Sequence, residues 1–157
     1  MGIFLKDITL KGKTALITGA TKGLGRGAAE AIAEAGGNII AIGRNQSELN
    51  SLGKKIKKLK VKYNSFNCDV NNYNKIKEFI TNLKNIDILV NNAGTNIPEN
   101  FLNVIKTSLE TILNVNTKAV FNIAQLCANQ IIKLKRKQGS IINISSIFGL
   151  VAGQKRT

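Results

Sequence analysis

The chain has 157 residues, 43% of them hydrophobic, with 23 basic against 9 acidic side chains and no histidine. That length holds one domain with a real core. No apolar run approaches the roughly 20 residues of a membrane span, and the N-terminus lacks the long apolar stretch of a secretory leader. Without histidine, Ser-His-Asp and Cys-His hydrolases, histidine metal sites and histidine proton donors are excluded, and no metal site is expected.

In chain order, strand-like and helix-like segments alternate. Residues 14–18 form an apolar strand, 23–35 a helix closed by Gly36-Gly37, 38–42 a second strand and 47–60 a second helix. Residues 62–67 form a third strand, followed by a helix carrying Ile76, Phe79, Ile80 and Leu83. Residues 87–91 form a fourth strand, and after a loop with the single proline, Pro98, a long helix runs from about 109 to 136. Residues 140–144 form a fifth strand after Gly139. This alternation predicts an α/β fold, a doubly wound parallel sheet with crossover helices on both faces. The whole chain, 1–157, reads as a single domain without repeat or linker.

The net charge of +14 concentrates in 54–60 and 133–137. In the first cluster Leu49, Leu52, Ile56 and Leu59 recur at helical spacing, which puts the lysines on outward faces. Few aromatics interleave with them, so stacking on bases is poorly supported. The charge favours anionic ligands, a dinucleotide among them. Cys68 and Cys127 have no metal or redox spacing and read as buried thiols of a reducing compartment, which makes the cytoplasm the expected location.

The most informative stretch is Thr18-Gly19-Ala20-Thr21-Lys22-Gly23-Leu24-Gly25. A strand that turns through three glycines into a helix binds phosphate: the backbone can approach the anion, and the helix start offers unpaired N–H groups. Roughly 20 residues on, where a dinucleotide fold reads the adenosine ribose, stand Gly43 and Arg44. An acid there would accept from a 2′-hydroxyl, whereas Arg44, with Lys22 as a second cation, suits a 2′-phosphate. Cys68-Asp69-Val70 follows strand three, Asn91-Asn92-Ala93-Gly94 ends strand four, Asn116 lies inside the long helix and Ser145-Ser146 follows strand five. Asparagine is unfavourable in a helix interior, a reason to suspect a site role such as opening the helix around a water. Each of these alone has a plainer reading: Arg44 a solvated turn residue, Asp69 a helix cap, Ser146 a loop starter.

Together, in this order, they resemble the short-chain dehydrogenase/reductase family, whose T-G-x-x-x-G-x-G loop and Asn-Asn-Ala-Gly signature they match. The resemblance implies a Rossmann fold with strand order 3-2-1-4-5, truncated before the family's last strands, and a homodimer or homotetramer paired through the long helix. It implies a nicotinamide cofactor, NADP(H) rather than NAD(H), held by Gly19, Thr21, Lys22, Gly23, Leu24, Gly25, Arg44, Asp69, Val70, Asn92, Ala93 and Gly94. Asp69 would accept from the adenine amino group, Ser146 would hold the substrate oxygen and Asn116 would anchor a relay water. The implied reaction interconverts a carbonyl and a secondary alcohol by hydride transfer. The stretches 91–98 and 153–157 are most similar to the gluconate 5-dehydrogenase-like branch, which suggests a sugar acid or polyol.

The family's Tyr-x-x-x-Lys pair is expected beyond Thr157, so the chain as given would lack its proton donor and be inactive. Tyr73-x-x-x-Lys77 fits that spacing but precedes strand four, and reads as an ordinary amphipathic helix. Three alternatives stay open: a 3-oxoacyl-carrier-protein reductase, a non-catalytic dinucleotide binder, and a nucleic-acid-binding module.

Overall fold

The computed structural model describes residues 9–151. Its elements are β1 (Thr14–Thr18), α1 (Gly23–Glu34), β2 (Asn38–Gly43), α2 (Gln46–Lys57), β3 (Tyr63–Asn67), α3 (Tyr73–Thr81), β4 (Ile88–Asn91), α4 (Lys106–Leu113), α5 (Val120–Lys133) and β5 (Ser140–Asn143). One-turn 3-10 helices lie at Phe101–Asn103 and Ile147–Gly149. All sheet pairings are parallel and the order is β3-β2-β1-β4-β5, the order expected.

Residues along β1, β2 and β4 alternate between two cores, because successive side chains point to opposite faces. Leu16, Ile40, Ile42 and Leu89 pack under α3 and α5 with Ile76, Ile80, Ile123 and Cys127. Ala15, Ile17, Ile39, Ala41 and Val90 pack under α1 and α2 with Ala29, Ala33, Leu49, Leu52 and Ile56. The alanines on this second face let α1 approach the sheet closely, and each fully buried Leu or Ile contributes about 1.5–3 kcal/mol. Burial pushes the Cys127 thiol up to about 12 and the Cys68 thiol upward as well, so both are protonated and weakly nucleophilic at neutral pH.

Between α1 and α2, Glu30 accepts from Lys55 at 2.6 Å and from Arg26 at 3.0 Å. The Lys55 ammonium, aided by Arg26, holds its carboxyl below the usual carboxylate range. The lysines of α2 otherwise fall outward, as its apolar spacing dictates.

Three expected elements differ. The second helix ends at Lys57, with Lys60 turned into the left-handed region at φ 60°, so the leucine pattern outlasts the helix. The third helix ends at Thr81, so Leu83, expected on it, lies beyond its C-cap Asn82. The long helix starts earlier, at Lys106, and is not uniform: Asn114–Ala119 is a π turn between α4 and α5. Asn114, Asn116 and Thr117 are weak helix formers whose polar groups compete for the backbone, and a π bulge often accompanies such sites. At the sheet margin β5 is exposed along its whole length, including Ile141 and Ile142.

Candidate functional site

The glycine loop leaves β1 and is shut against the end of β4 by side chains rather than by packing. The Thr18 hydroxyl accepts the backbone N–H groups of Asn92 and Ala93, both at 3.0 Å. In return the Asn92 amide donates to the carbonyls of Thr18 at 3.1 Å and Gly19 at 3.2 Å. Gly19 and Gly23 have φ of +62° and +54°, where a side chain would strain the backbone. Gly25 is buried, and a Cβ there would overlap the Asn92 amide and the Gly19 carbonyl. Gly19 and Gly25 are therefore required by close contact at the neighbouring strand end, and Gly23 by its backbone conformation alone.

At the start of α1, Lys22 is extended and supplies no side-chain cap, and the first turn holds no acid. The first-turn N–H groups are thus left without the side-chain acceptor that most helices provide. By contrast α2 is capped by Asn45, whose side chain accepts from Glu48 N–H at 3.2 Å, and α3 by Asn72.

A cleft of about 670 Å³ opens along the C-terminal ends of the strands. Of the sequence-predicted residues, Gly19, Thr21, Lys22, Leu24, Arg44, Asp69, Val70, Asn92, Ala93 and Gly94 line it. Leu24 is 76% exposed there, an apolar side chain facing the opening. Gly23 and Gly25 do not line the cleft. Gly43 is buried with Thr21 Cγ2 only 2.6 Å from where its Cβ would stand, so a side chain there would require the Thr21 methyl to move. Arg44 Nη1 lies 3.6 Å from Asp69 Oδ2, and Asp69 Oδ1 accepts from Asn71 N–H at 2.8 Å. Asp69 is therefore partly the turn cap that its place after a strand suggested.

Asn116 sits in the π turn and clamps the loop after β4. Its amide donates to Thr95 O at 2.8 Å and its Oδ1 accepts Thr95 N–H at 2.9 Å. Its side chain thus ties the helix to the cleft wall, and the cleft is lined there by Thr95, Thr111 and Val115 rather than by Asn116 itself. Ser146 lies outside the lining: its hydroxyl caps the following turn, accepting Phe148 N–H at 3.2 Å. Tyr73 and Lys77 also lie off the cleft, exposed on α3 with the ammonium 6.0 Å from the ring centroid.

Sequence reasoning passed over Thr18, Cys68, Thr95, Asn45 and Glu48 as site residues, although all either line the cleft or close it. Thr18 carried a usable signal, a polar residue ending an otherwise apolar strand. Thr95 carried none, because only its backbone takes part. The asparagines of the Asn-Asn-Ala-Gly strand end are expected to tie the sheet together, and Asn91 does so. It donates to Asn143 Oδ1 at 3.0 Å and to Val120 O at 3.3 Å, joining β4, β5 and α5 behind the cleft.

The family model described as short chain dehydrogenase matches residues 13–157. The chain is 33% identical over 152 residues to the 3-oxoacyl-(acyl-carrier-protein) reductase of Thermotoga maritima, covering 94% of this chain and 61% of that protein. It is 36% identical over 156 residues to the 2-dehydro-3-deoxy-D-gluconate 5-dehydrogenase of Bacillus subtilis, covering 98% and 60%. Among solved structures it is similar to a short-chain dehydrogenase from Sphingobium yanoikuyae in complex with NADPH, with TM-score 0.81, 26% identity and coverage of 88% and 55%. The chain thus spans about 55–61% of the length of these proteins. With the sheet order, the glycine loop and the Asn-Asn-Ala-Gly strand end all in place, the chain belongs to the short-chain dehydrogenase family.

Proposed function

We propose that residues 1–157 are a dinucleotide-binding domain of an NADP(H)-dependent oxidoreductase that interconverts a carbonyl and a secondary alcohol, on a sugar acid or polyol. The observation that carries this reading is the pairing of an uncapped α1 start with a glycine loop that admits no side chain at Gly25. That is a surface with unpaired donors and room for an anion close to the backbone, and it fits a pyrophosphate. Bound NADP(H) supplies the hydride chemistry.

The chain's own residues bind and orient. Main-chain amides from Gly19 to Gly25 hold the pyrophosphate, Leu24 packs on the ligand, and Asn92, Ala93 and Gly94 form the cleft wall. Arg44 and Lys22 take the 2′-phosphate, while Asp69 and Val70 flank the adenine. Asn116 fixes the wall through Thr95. Ser146, whose hydroxyl accepts Phe148 N–H and keeps its own hydrogen to donate, holds the substrate oxygen. The sugar-acid assignment is supported by the Bacillus subtilis relative, and the Thermotoga maritima relative supports an acyl-carrier-protein thioester ketone as the second reading. Leu109, Leu113 and Phe121, exposed on α4 and α5, support pairing of two copies through that face. A cytoplasmic setting accords with the two free, buried thiols.

Fluorescence titration with NADPH and NADH tests the assignment. NADPH is expected to bind more tightly, and Arg44→Ala to weaken NADPH about tenfold, the order expected for losing a charge-assisted contact, with little effect on NADH. Tighter binding of NADH by the native chain would refute the NADP(H) assignment.

A further inference from the structure

Arg44 and Asp69 meet because of sheet register. Gly43 pairs with Asn67 at the ends of β2 and β3, and Cys68 N–H donates to Gly43 O at 3.0 Å, so the residues that follow each strand share one edge of the cleft. Asp69 is held in orientation: Asn71 N–H engages Oδ1 and leaves Oδ2 facing the guanidinium. The Arg44 side chain is 80% exposed, and among the described residues Asp69 is its sole ion-pair partner. Position 43 is glycine and supplies no carboxylate. Asp69 and Glu48 are the acids that line this cleft.

We propose that Asp69 is a specificity-determining residue, whose carboxylate competes with a 2′-phosphate for the Arg44 guanidinium and so limits the preference for 2′-phosphorylated adenosine. The inference rests on the reading that the adenosine half of the cofactor lies against the cleft edge shared by Arg44 and Asp69. One guanidinium faces two anions, and a ligand's 2′-phosphate must draw it away from Asp69. The pair is solvent-exposed, so its hold is modest, and the effect appears in a ratio of affinities rather than as loss of binding. A direct adenine contact by Asp69 behaves differently: it alters ligands with and without a 2′-phosphate equally.

The test uses the full chain with two probes, adenosine 2′,5′-bisphosphate and AMP, which need only the adenosine end of the cleft. Asp69→Asn keeps the Oδ1 acceptor for Asn71 N–H, so the turn is retained. It is expected to raise the affinity ratio of the bisphosphate over AMP about two- to fivefold, in line with an exposed ion pair. In an Arg44→Ala background the same substitution is expected to leave the ratio unchanged, which the double-mutant cycle isolates. Without ligand, Asp69→Asn is expected to shift the Arg44 Nε–Hε NMR resonance. An unchanged ratio in Asp69→Asn overturns the proposal in favour of a plain adenine contact. An equal rise with and without Arg44 overturns it in favour of bare repulsion between Asp69 and phosphate. Failure of both probes to bind removes the cofactor reading itself, and this inference with it.

Discussion

Gly25→Ala is expected to weaken NADPH binding at least a hundredfold, about 2.7 kcal/mol, while leaving a folded chain. The added methyl would occupy the space of the Asn92 amide and the Gly19 carbonyl. Asn92 would have to give up its bonds to Thr18 O and Gly19 O, which are what shut the loop against β4. Overpacking of this kind costs about 1–3 kcal/mol in stability, and the strain falls on the atoms proposed to face the pyrophosphate. Gly27→Ala is the control. It lies two residues on in α1, with nothing within 4 Å of its missing Cβ. There the same change is expected to stabilise by about 0.5–1 kcal/mol, from helix propensity alone, and to leave NADPH affinity unaltered. Equal affinities for native and Gly25→Ala chains would show that the closed loop is not the binding surface.

Asp87→Ala is expected to be the most destabilising single change away from the cleft. Asp87 is 2% exposed and stands just before β4, at the opposite end of the sheet. Its Oδ2 accepts Thr14 N–H at 2.9 Å, its Oδ1 accepts Arg136 Nε and Nη2 at 2.8 and 2.6 Å, and its carbonyl accepts Ser140 N–H at 2.9 Å. One side chain thus joins β1, β4 and the turn into β5. Its removal strands a half-buried guanidinium and an unpaired N–H group, a loss of about 3–5 kcal/mol against the usual 5–15 kcal/mol of a whole domain. Asp87→Asn, which keeps an acceptor and loses the charge, is expected to cost less. Urea unfolding reads this as a lower midpoint at unchanged slope, and the folded fraction is expected to bind NADPH as the native chain does.

Most of the sheet was legible because β1, β2 and β4 are short apolar runs, whereas β3 offers only Tyr63 and Phe66 among polar residues, and each helix is a separate amphipathic run. The order β3-β2-β1-β4-β5 came with the family resemblance carried by the glycine loop. Boundaries failed where apolar spacing continued past the helix, as at Leu59, or where polar groups bonded at long range. The π turn at Asn114–Ala119 is of the second kind: Asn116 leaves the helical pattern to bond Thr95, 21 residues earlier, and periodicity carries no trace of that partner. Asp87 read as the first residue of a strand, and its ties to Thr14 and Arg136 became visible only once the strands were side by side.

The candidate site was legible in position, since Gly19, Arg44, Asp69 and Asn92 all follow strands that the sequence marks clearly. Its closure was not. Thr18 and Asn92 act on each other across 74 residues, and Gly25 owes its identity to that contact rather than to any turn of its own. Ser146 shows the reverse case: a motif position whose hydroxyl, in the structure, serves its own turn.

Amide NMR mapping of the full chain during titration with NADPH tests the central claim most directly. The largest shifts are expected at Gly19 to Gly25 and at Asn92 to Thr95, with the Arg44 side chain following. Saturating shifts confined to another surface, such as the lysine face of α2, or none at millimolar NADPH, would contradict it.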